Sequence, residues 1–394
     1  MIVYELVKNV IYYGAIDFNR EYFDELMPLP DGTSYNSYVI KGTEKTVIID
    51  GVDPMFEDEF LEALKNTKIE HVDYIVSHHA EQDHSGSIPR MLELYPDAKV
   101  VTNKKCMDLL KDHLHLPEEK FHVINDGDEL SLGDKTLKFI FTPWVHWPET
   151  MVTYLVEDKI LFSCDFFGSH MATTEVFATP DRKLYDAAKR YYAEIMMPFR
   201  RFIKKNIEKL NNYEIKMIAP SHGPIYKDPK FIIDAYTDWA SDKVVNSVVI
   251  AYTSMHGSTK RMVDYLVAGL VDRGVKVYSY MIRDSRIDEL AMSMVDAATV
   301  IIGTPTVLAG PHPRAIYAAT LANLIKPKTK FLTIVGSYGW GGRTVDILKG
   351  MIPNLKVELL EPVLIKGYPD DEAFKKLDAL MDQIVEKHKS LGIM

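Results

Sequence analysis

Cysteine is almost absent from this chain of 394 residues: only Cys106 and Cys164 occur. Two cysteines cannot build a disulfide framework, and they cannot make a four-cysteine iron or zinc site. No stretch reaches the roughly 18 uncharged apolar residues that a membrane span requires. The amino terminus, MIVYELVKNV, carries Glu5 and Lys8 and reads as no secretory leader. Positive charge is in deficit as well. The formal net charge is −10, so the chain as a whole is repelled by nucleic acid and by anionic membranes. Long like-charge tails, low-complexity tracts and internal repeats are also missing. These absences set the expectation of a cytoplasmic globular protein with no nucleic-acid and no membrane partner. At roughly 150 residues per domain the length suggests two or three domains.

The chain has two halves with different rhythms, and the change falls near Ser241-Asp242-Lys243. The first half, residues 1–243, is rich in short strands. SYVIKG, TVIID, VDYIVSHH, AKVVTN, LKFIFTP, TYLVED, KILFSCD and KMIAPSH are β-rich runs broken by turn residues. Helical periodicity lies between some of them, and a long helical stretch is expected over Leu184 to Leu210. This pattern predicts a layered α/β sandwich. The second half, residues 244–394, alternates strand and helix strictly. The alternation predicts a five-stranded, doubly wound parallel sheet.

The first chemical signal is SHHAEQDHSG. Where the strand VDYIV ends, His79, Glu81, Asp83 and His84 follow within six residues. All four are metal-ligand types. Standing alone, such a loop is also explained as a polar cap on the next helix, with Asp83 or Ser85 as the capping residue. Three later strands each end in another ligand type: His146 after LKFIFTP, Asp165 after KILFSC, His222 after KMIAPS. A lone histidine after a strand is as a rule a surface or core-edge residue. Four strand ends in series argue against coincidence. Four imidazoles and three carboxylates exceed the needs of one four-coordinate ion and suit two adjacent ions. Asp165 is the natural bridge, because its two oxygens can face different cations.

This arrangement resembles the metallo-β-lactamase superfamily, with its H-x-H-x-D-H motif. Here Glu81 takes the place of the second histidine. The variant H-x-E-x-D-H, with 18 residues between His146 and Asp165, resembles the flavodiiron proteins. A hard carboxylate in place of an imidazole favours iron over zinc. The resemblance implies that His79, Glu81 and His146 hold one iron, that Asp83, His84 and His222 hold the other, and that Asp165 bridges. His84 is the ligand whose coordination varies within that family. His78 falls outside the motif and is read as structural. Glu149 and His170 are either hydrogen-bond partners behind the ligands or ordinary polar residues. YYAEIMMPF resembles a segment bordering the iron pocket, with Tyr191 or Tyr192 facing it.

The second signal follows the strand SVVIAY: Thr253-Ser254-Met255-His256-Gly257-Ser258-Thr259, then a helix. Unpaired N–H groups and the helix dipole favour an anion there, hydroxyls add donors, and Gly257 allows close approach. The lysine spacing is not that of a triphosphate-binding loop. Such a turn alone is often no more than a helix cap. Two further segments, Gly303-Thr304-Pro305-Thr306 and Gly336-Ser337-Tyr338-Gly339-Trp340-Gly341-Gly342, are expected as loops after the third and fourth strands. In a doubly wound sheet they flank the first loop, and Tyr338 and Trp340 can wall a flat isoalloxazine. The set resembles the flavodoxin FMN site, and GSYGWGG resembles the flavodiiron signature. One departure is Val307-Leu308-Ala309, where relatives carry a polar residue; it puts one FMN contact in doubt.

The resemblance spans nearly the whole chain. It implies an N-terminal αββα metallo-β-lactamase-like sandwich followed by a flavodoxin-like domain, with FMN and a di-iron centre as cofactors. The implied function is reduction of dioxygen to water, or of nitric oxide to nitrous oxide, with electrons relayed through FMN from rubredoxin or a similar donor. With no Cys-x-x-Cys pair in the chain, a rubredoxin is expected as a separate partner. A head-to-tail homodimer or a dimer of such dimers is implied, each flavin lying near the partner's irons. Two rivals stand beside this: a zinc-dependent hydrolase fused to an electron-transfer domain, and a non-enzymatic electron carrier with a docking scaffold. Arg200, Arg201, Lys204 and Lys205 make one segment locally basic, which reads as a solvated helix face or as a dock for an acidic donor.

Overall fold

The computed structural model describes residues 1–282 and 287–394. The chain divides into two compact units. The first comprises Met1–Glu25, Leu29–Tyr192 and Phe199–Ala240; the second comprises Leu26–Pro28, Ala193–Pro198 and Ser241–Met394.

Two sheets make up the first unit. One has seven strands in the order Ile2–Val7, Val10–Asp17, Thr33–Lys41, Thr46–Ile49, Tyr74–Val76, Lys99–Asn103 and Phe121–Ile124. The other has five: Glu129–Ser131, Thr136–Phe141, Met151–Leu155, Ile160–Cys164 and Met217–Pro220. Alternation along the strands builds the layers. Val47 and Ile49 join a core between the sheets with Leu137, Phe139, Ile160 and Phe162. Ile48, between them, points the other way, onto Phe60, Leu64, Met91 and Leu110 of the helices Glu57–Asn66, Ile88–Leu94 and Lys104–Leu114. Truncating a fully buried residue such as Phe162 to alanine costs about 3–5 kcal/mol. The helices Arg182–Tyr191, Arg200–Leu210 and Pro229–Ala240 complete the αββα sandwich.

Several details differ from the sequence reading. The N-terminal hairpin Ile2–Val7 with Val10–Asp17 was not among the expected strands, although IVYELV and VIYYGAID are β-rich; Asn9 turns between them at φ 67°. The long helix is interrupted, with a wider π-type stretch at Tyr192–Met196 and a 3-10 turn at Met197–Phe199. Pro198 is the cause, since its ring cannot donate to the helix ladder and clashes with the preceding turn. In the helix Arg200–Leu210, Arg201, Lys204 and Lys205 are exposed while Ile203, Ile207 and Leu210 are buried, which is the arrangement of a solvated face.

The second unit holds a sheet ordered Lys276–Met281, Val245–Tyr252, Ala297–Val307, Phe331–Tyr338, with all these pairs parallel. This is the 2-1-3-4-5 order of flavodoxin-like sheets. The fifth position is shared by Glu358–Leu359 and Val363–Lys366; Pro362, lacking an N–H, sits in the break. Val248, Ile250 and Tyr252 share one core with the helices Ser258–Asp272 and Asp371–Ser390.

Two segments expected as loops are strand ends. Gly303 to Thr306 lie inside the strand Ala297–Val307, and Gly336 to Tyr338 inside Phe331–Tyr338. The parallel ladder runs on through Thr304↔Gly336 and Pro305↔Ser337. A second ladder, Gly336↔Leu364 and Ser337↔Ile365, holds the other side.

Candidate metal centre and flavin cradle

The strand Tyr74–Val76 carries the motif to the mouth of the sandwich. His78 anchors it there. Its backbone N–H donates to Asp50 Oδ1 at 2.9 Å, its Nδ1 lies 2.6 Å from Asp50 Oδ2, and its Nε2 lies 2.8 Å from Thr153 Oγ1. The imidazole thus ties the seven-stranded sheet to the five-stranded one. A single helical turn, Gln82–Ser85, follows. Neither Asp83 nor Ser85 caps a helix: Ser85 Oγ donates to Ala80 O, and the turn's N-cap, Glu81, makes no capping bond. Gly51 lets this turn approach. Its N–H donates to His84 O, and a Cβ at Gly51 would lie 2.7 Å from that oxygen.

The turn delivers its ligand types to a cluster completed by the other sheet. Asp165 follows the strand Ile160–Cys164 directly and His222 comes just after Met217–Pro220, whereas His146 lies in a turn five residues past Phe141 rather than at the strand end. The groups pair symmetrically. Nε2 of His79 and Nε2 of His146 each lie 3.1 Å from Asp165 Oδ2, and 3.3 and 2.9 Å from Glu81 Oε2. On the other side, Nε2 of His84 and of His222 lie 3.1 and 3.3 Å from Asp165 Oδ1, and 3.3 and 3.4 Å from Asp83 Oδ2. Asp165 therefore turns one oxygen to each half. The ligand atoms of the seven expected residues form two groups, His79–Glu81–His146–Asp165 and Asp83–His84–His222, and a third group, Asp50–His78–Cys164, lies behind them; within each group the atoms lie inside 4.8 Å of one another.

Electrostatics show what such a cluster demands. Burial alone would lower the imidazole pKa values, yet hydrogen bonds to Asp165 and Glu81 raise His146 to about 9. Bonds to Asp165 and Asp83 raise His222 to about 10 against the same penalty. Burial opposes ionisation of Asp165, but the facing histidines hold it well below the usual carboxylate range. Three packed carboxylates attract positive charge, as protons or as metal ions.

Around this centre, His170 Nδ1 lies 2.9 Å from Thr33 Oγ1, and its ring lies 5.2 Å from that of His222. Burial, then the neighbouring His222, pushes its pKa well down, so it is neutral. Of the two tyrosines, Tyr191 is beside the cluster, 6.0 Å from the His222 ring, whereas Tyr192 packs on Tyr236 and Trp239. Burial raises the Tyr191 pKa well above the ordinary value. Glu149 Oε1 accepts the Ala80 N–H, between His79 and Glu81. A cavity of about 210 Å³ opens on Glu81, Asp83 and His222, with Thr33, Tyr35 and His170 in its wall. Thr33 and Tyr35 went unnoticed in the sequence; they sit on an inner strand with no distinguishing motif.

In the second unit a cavity of about 150 Å³ lies at the switch point of the sheet. Ser254, Met255, His256, Ser258, Thr259, Pro305, Thr306, Ser337, Tyr338 and Gly339 line it. Gly257 caps the helix at φ 90° with open space around it. Gly257, Trp340 and Gly341 lie outside the lining, and Trp340 is 69% exposed. Thr304 is also outside it: its buried hydroxyl donates to Pro305 O and accepts the His312 N–H. Gly367, at φ 76° after the fifth strand, lines the cavity and was missed.

A metallo-β-lactamase-like sandwich with a histidine–carboxylate cluster at its mouth, carried with a flavodoxin-like sheet, defines a class of two-unit redox proteins. Known proteins agree. Residues 33–223 match the family model described as ODP family beta lactamase. A nitric oxide reductase of Moorella thermoacetica is 36% identical over 364 residues, 90% of each chain. The rubredoxin oxygen:oxidoreductase of Desulfovibrio gigas superposes at a TM-score of 0.95, with 29% identity over 99% of each chain. The flavodiiron protein of Giardia intestinalis superposes at 0.90, with 26% identity over 99% of this chain and 97% of its own. The chain belongs to the flavodiiron protein family, and it is an oxidoreductase. No helix among the described residues is long and apolar enough to cross a membrane.

Proposed function

We propose that this chain reduces dioxygen to water, nitric oxide to nitrous oxide, or both, with electrons from a rubredoxin-type donor. The observation that carries the proposal is Asp165, buried between two matched groups of ligand types with one oxygen toward each. His79, Glu81 and His146 would hold one iron, and Asp83, His84 and His222 the other. The residues fit. Asp83 Oδ1 is buried without a hydrogen-bond partner among the described residues, which is costly in a neutral interior and suited to a hard cation. The helix Ser258–Asp272 opens on the second cavity, where the hydroxyls of Ser254, Ser258 and Thr259 would hold the phosphate of FMN. When bound, the irons and FMN supply the electron transfer and the binding of the gas.

The chain's own residues set the conditions. Glu81, Asp83 and Asp165 concentrate negative charge where cations must stay. Tyr191 keeps its hydroxyl proton and His170 stays uncharged, so neither adds a competing charge beside the cluster. The cavity at Glu81, Asp83 and His222 has room for a diatomic molecule. The resemblance read from the sequence implies a head-to-tail homodimer, or a dimer of such dimers, as the working form. A monomer with full activity in light scattering would count against it.

The test is the metal and flavin content of protein purified anaerobically from iron-supplied cells, followed by gas-electrode assays with reduced rubredoxin. A pair of irons and one FMN per chain, with consumption of either gas, is the expected result. Zinc with little iron, or loaded protein that consumes neither gas, overturns the proposal.

A further inference from the structure

Each imidazole of the cluster points Nε2 at the carboxylates, which leaves Nδ1 as its outer atom. A histidine that holds a metal through Nε2 must carry its proton on Nδ1. The acceptor of that proton fixes the tautomer, locks the ring and tunes how strongly it donates to the metal. The outer atoms here are not equivalent. Nδ1 of His222 lies 2.7 Å from the carbonyl oxygen of Ser34, a strong acceptor. Nδ1 of His84 is buried with no hydrogen-bond partner among the described residues. Nδ1 of His79 lies 3.3 Å from Sγ of Cys164.

Cys164 is held firmly enough to act as such a partner. It is 1% exposed and sits at the last position of the strand Ile160–Cys164 with φ 54°. Its carbonyl accepts the N–H of Ser221, the residue before His222. Asp165 follows it. A left-handed backbone at a residue with a side chain is tolerated only where the surroundings enforce it. Here that backbone turns the thiol back toward His79 while the next residue enters the cluster.

We propose that Cys164 is a positioning residue: its sulfur accepts the Nδ1–H of His79 and so fixes the tautomer that presents Nε2 to the metal position shared with Glu81 and His146. Sulfur is a weak acceptor, so His79 donates less strongly to its metal than His222, braced by a carbonyl, does to the other. The ligands of the two positions thus differ in what stands behind them: sulfur behind His79, a carbonyl behind His222 and no partner among the described residues behind His84. The inference rests on the reading of the cluster as a pair of metal sites.

The test is an anaerobic titration of the chelator-stripped full chain with cobalt(II), followed by its visible absorption, in wild type, Cys164→Ala and Cys164→Ser. All three residues carry a Cβ, so the backbone strain at this position is common to them and cancels. In Cys164→Ala one of the two binding steps weakens by about 10- to 100-fold while the other stays in place, and Cys164→Ser, which keeps an acceptor, recovers most of the loss. Unchanged binding of both ions in Cys164→Ala overturns the proposal. So does equal weakening of both steps, which would mark a general loss of packing. A wild-type chain that binds no pair of ions fails in a different way, sinking the reading of the cluster itself.

Discussion

Replacing Asp165 by asparagine keeps the side-chain shape and removes one charge from the middle of the cluster. The carboxylate is 2% exposed and offers Oδ2 to His79 and His146, and Oδ1 to His84 and His222. Asparagine has one oxygen and one NH2 group, so one half keeps an acceptor and the other meets a donor that cannot bind a cation. A lost unit charge about 4 Å from a cation, at an effective dielectric near 20, is worth about 4 kcal/mol, or about 10³-fold in affinity. At least one iron should therefore be lost on desalting after anaerobic iron(II) loading, and gas consumption should fall with it. Flavin content should not change, because every residue lining the second cavity belongs to the other unit. Metal analysis and absorbance on the same sample read both quantities. An Asp165→Asn chain that keeps both irons at wild-type affinity and turns over normally would refute the bridging role.

Stripped of metal, the first unit should be most stable near and below pH 6.5. His146 and His222 have folded pKa values of about 9 and 10, above the unfolded value near 6.5, so their contribution is complete below that value and lost as pH rises through the folded ones. Melting temperatures of chelated protein from pH 6 to 10 check this, and an increase toward pH 10 would contradict it. In the second unit His388 bonds Asn246 Oδ1 and Thr299 Oγ1, each at 2.8 Å, and burial pushes its pKa down to about 4. As the unfolded chain binds the extra proton, stability should fall by about 2 kcal/mol, after allowance for screening, as pH drops from 6.5 through 4; His388→Asn should flatten that slope in denaturant titrations. Ser258→Asp puts a carboxylate at the helix start, which favours the helix but repels phosphate, so FMN affinity should fall about tenfold or more with iron content unchanged. Flavin retention at wild-type strength would mean that the phosphate lies elsewhere.

The seven ligand types of the cluster were legible because metal chemistry needs particular side chains and strand ends are where loops can aim them. Counting donors suggested two ions, and the two oxygens of Asp165 suggested a bridge; each oxygen does face a different half of the cluster. What could not be read were the contacts behind them. His79 and Cys164 lie 85 positions apart, and no local pattern says that a thiol before an aspartate will face a distant imidazole. The choice between Tyr191 and Tyr192 needed the true path of the helix around Pro198, which periodicity had drawn straight. Around the flavin cradle, composition pointed to the correct segments but not to the facing of each residue. Thr304 is buried within a strand that runs farther than its glycine and proline suggested, its hydroxyl bonded to Pro305 and His312, and Gly367 follows a fifth strand that had carried no flavin signal. The alternating rhythm of the second half made its sheet order readable, since strict strand–helix alternation leaves few topologies open.

The two ligand groups take their members from segments between His79 and His222. This spacing imposes an order on biosynthesis. On the ribosome, the turn bearing Glu81 and Asp83 emerges long before its counterparts, and early metal capture there would be incomplete. Only when His222 has left the exit tunnel are both groups whole, and by then nearly all of the first unit exists while most of the second is still to be made. Domains fold largely in order of synthesis, so the cluster can be complete on a nascent chain that does not yet have a place for a flavin.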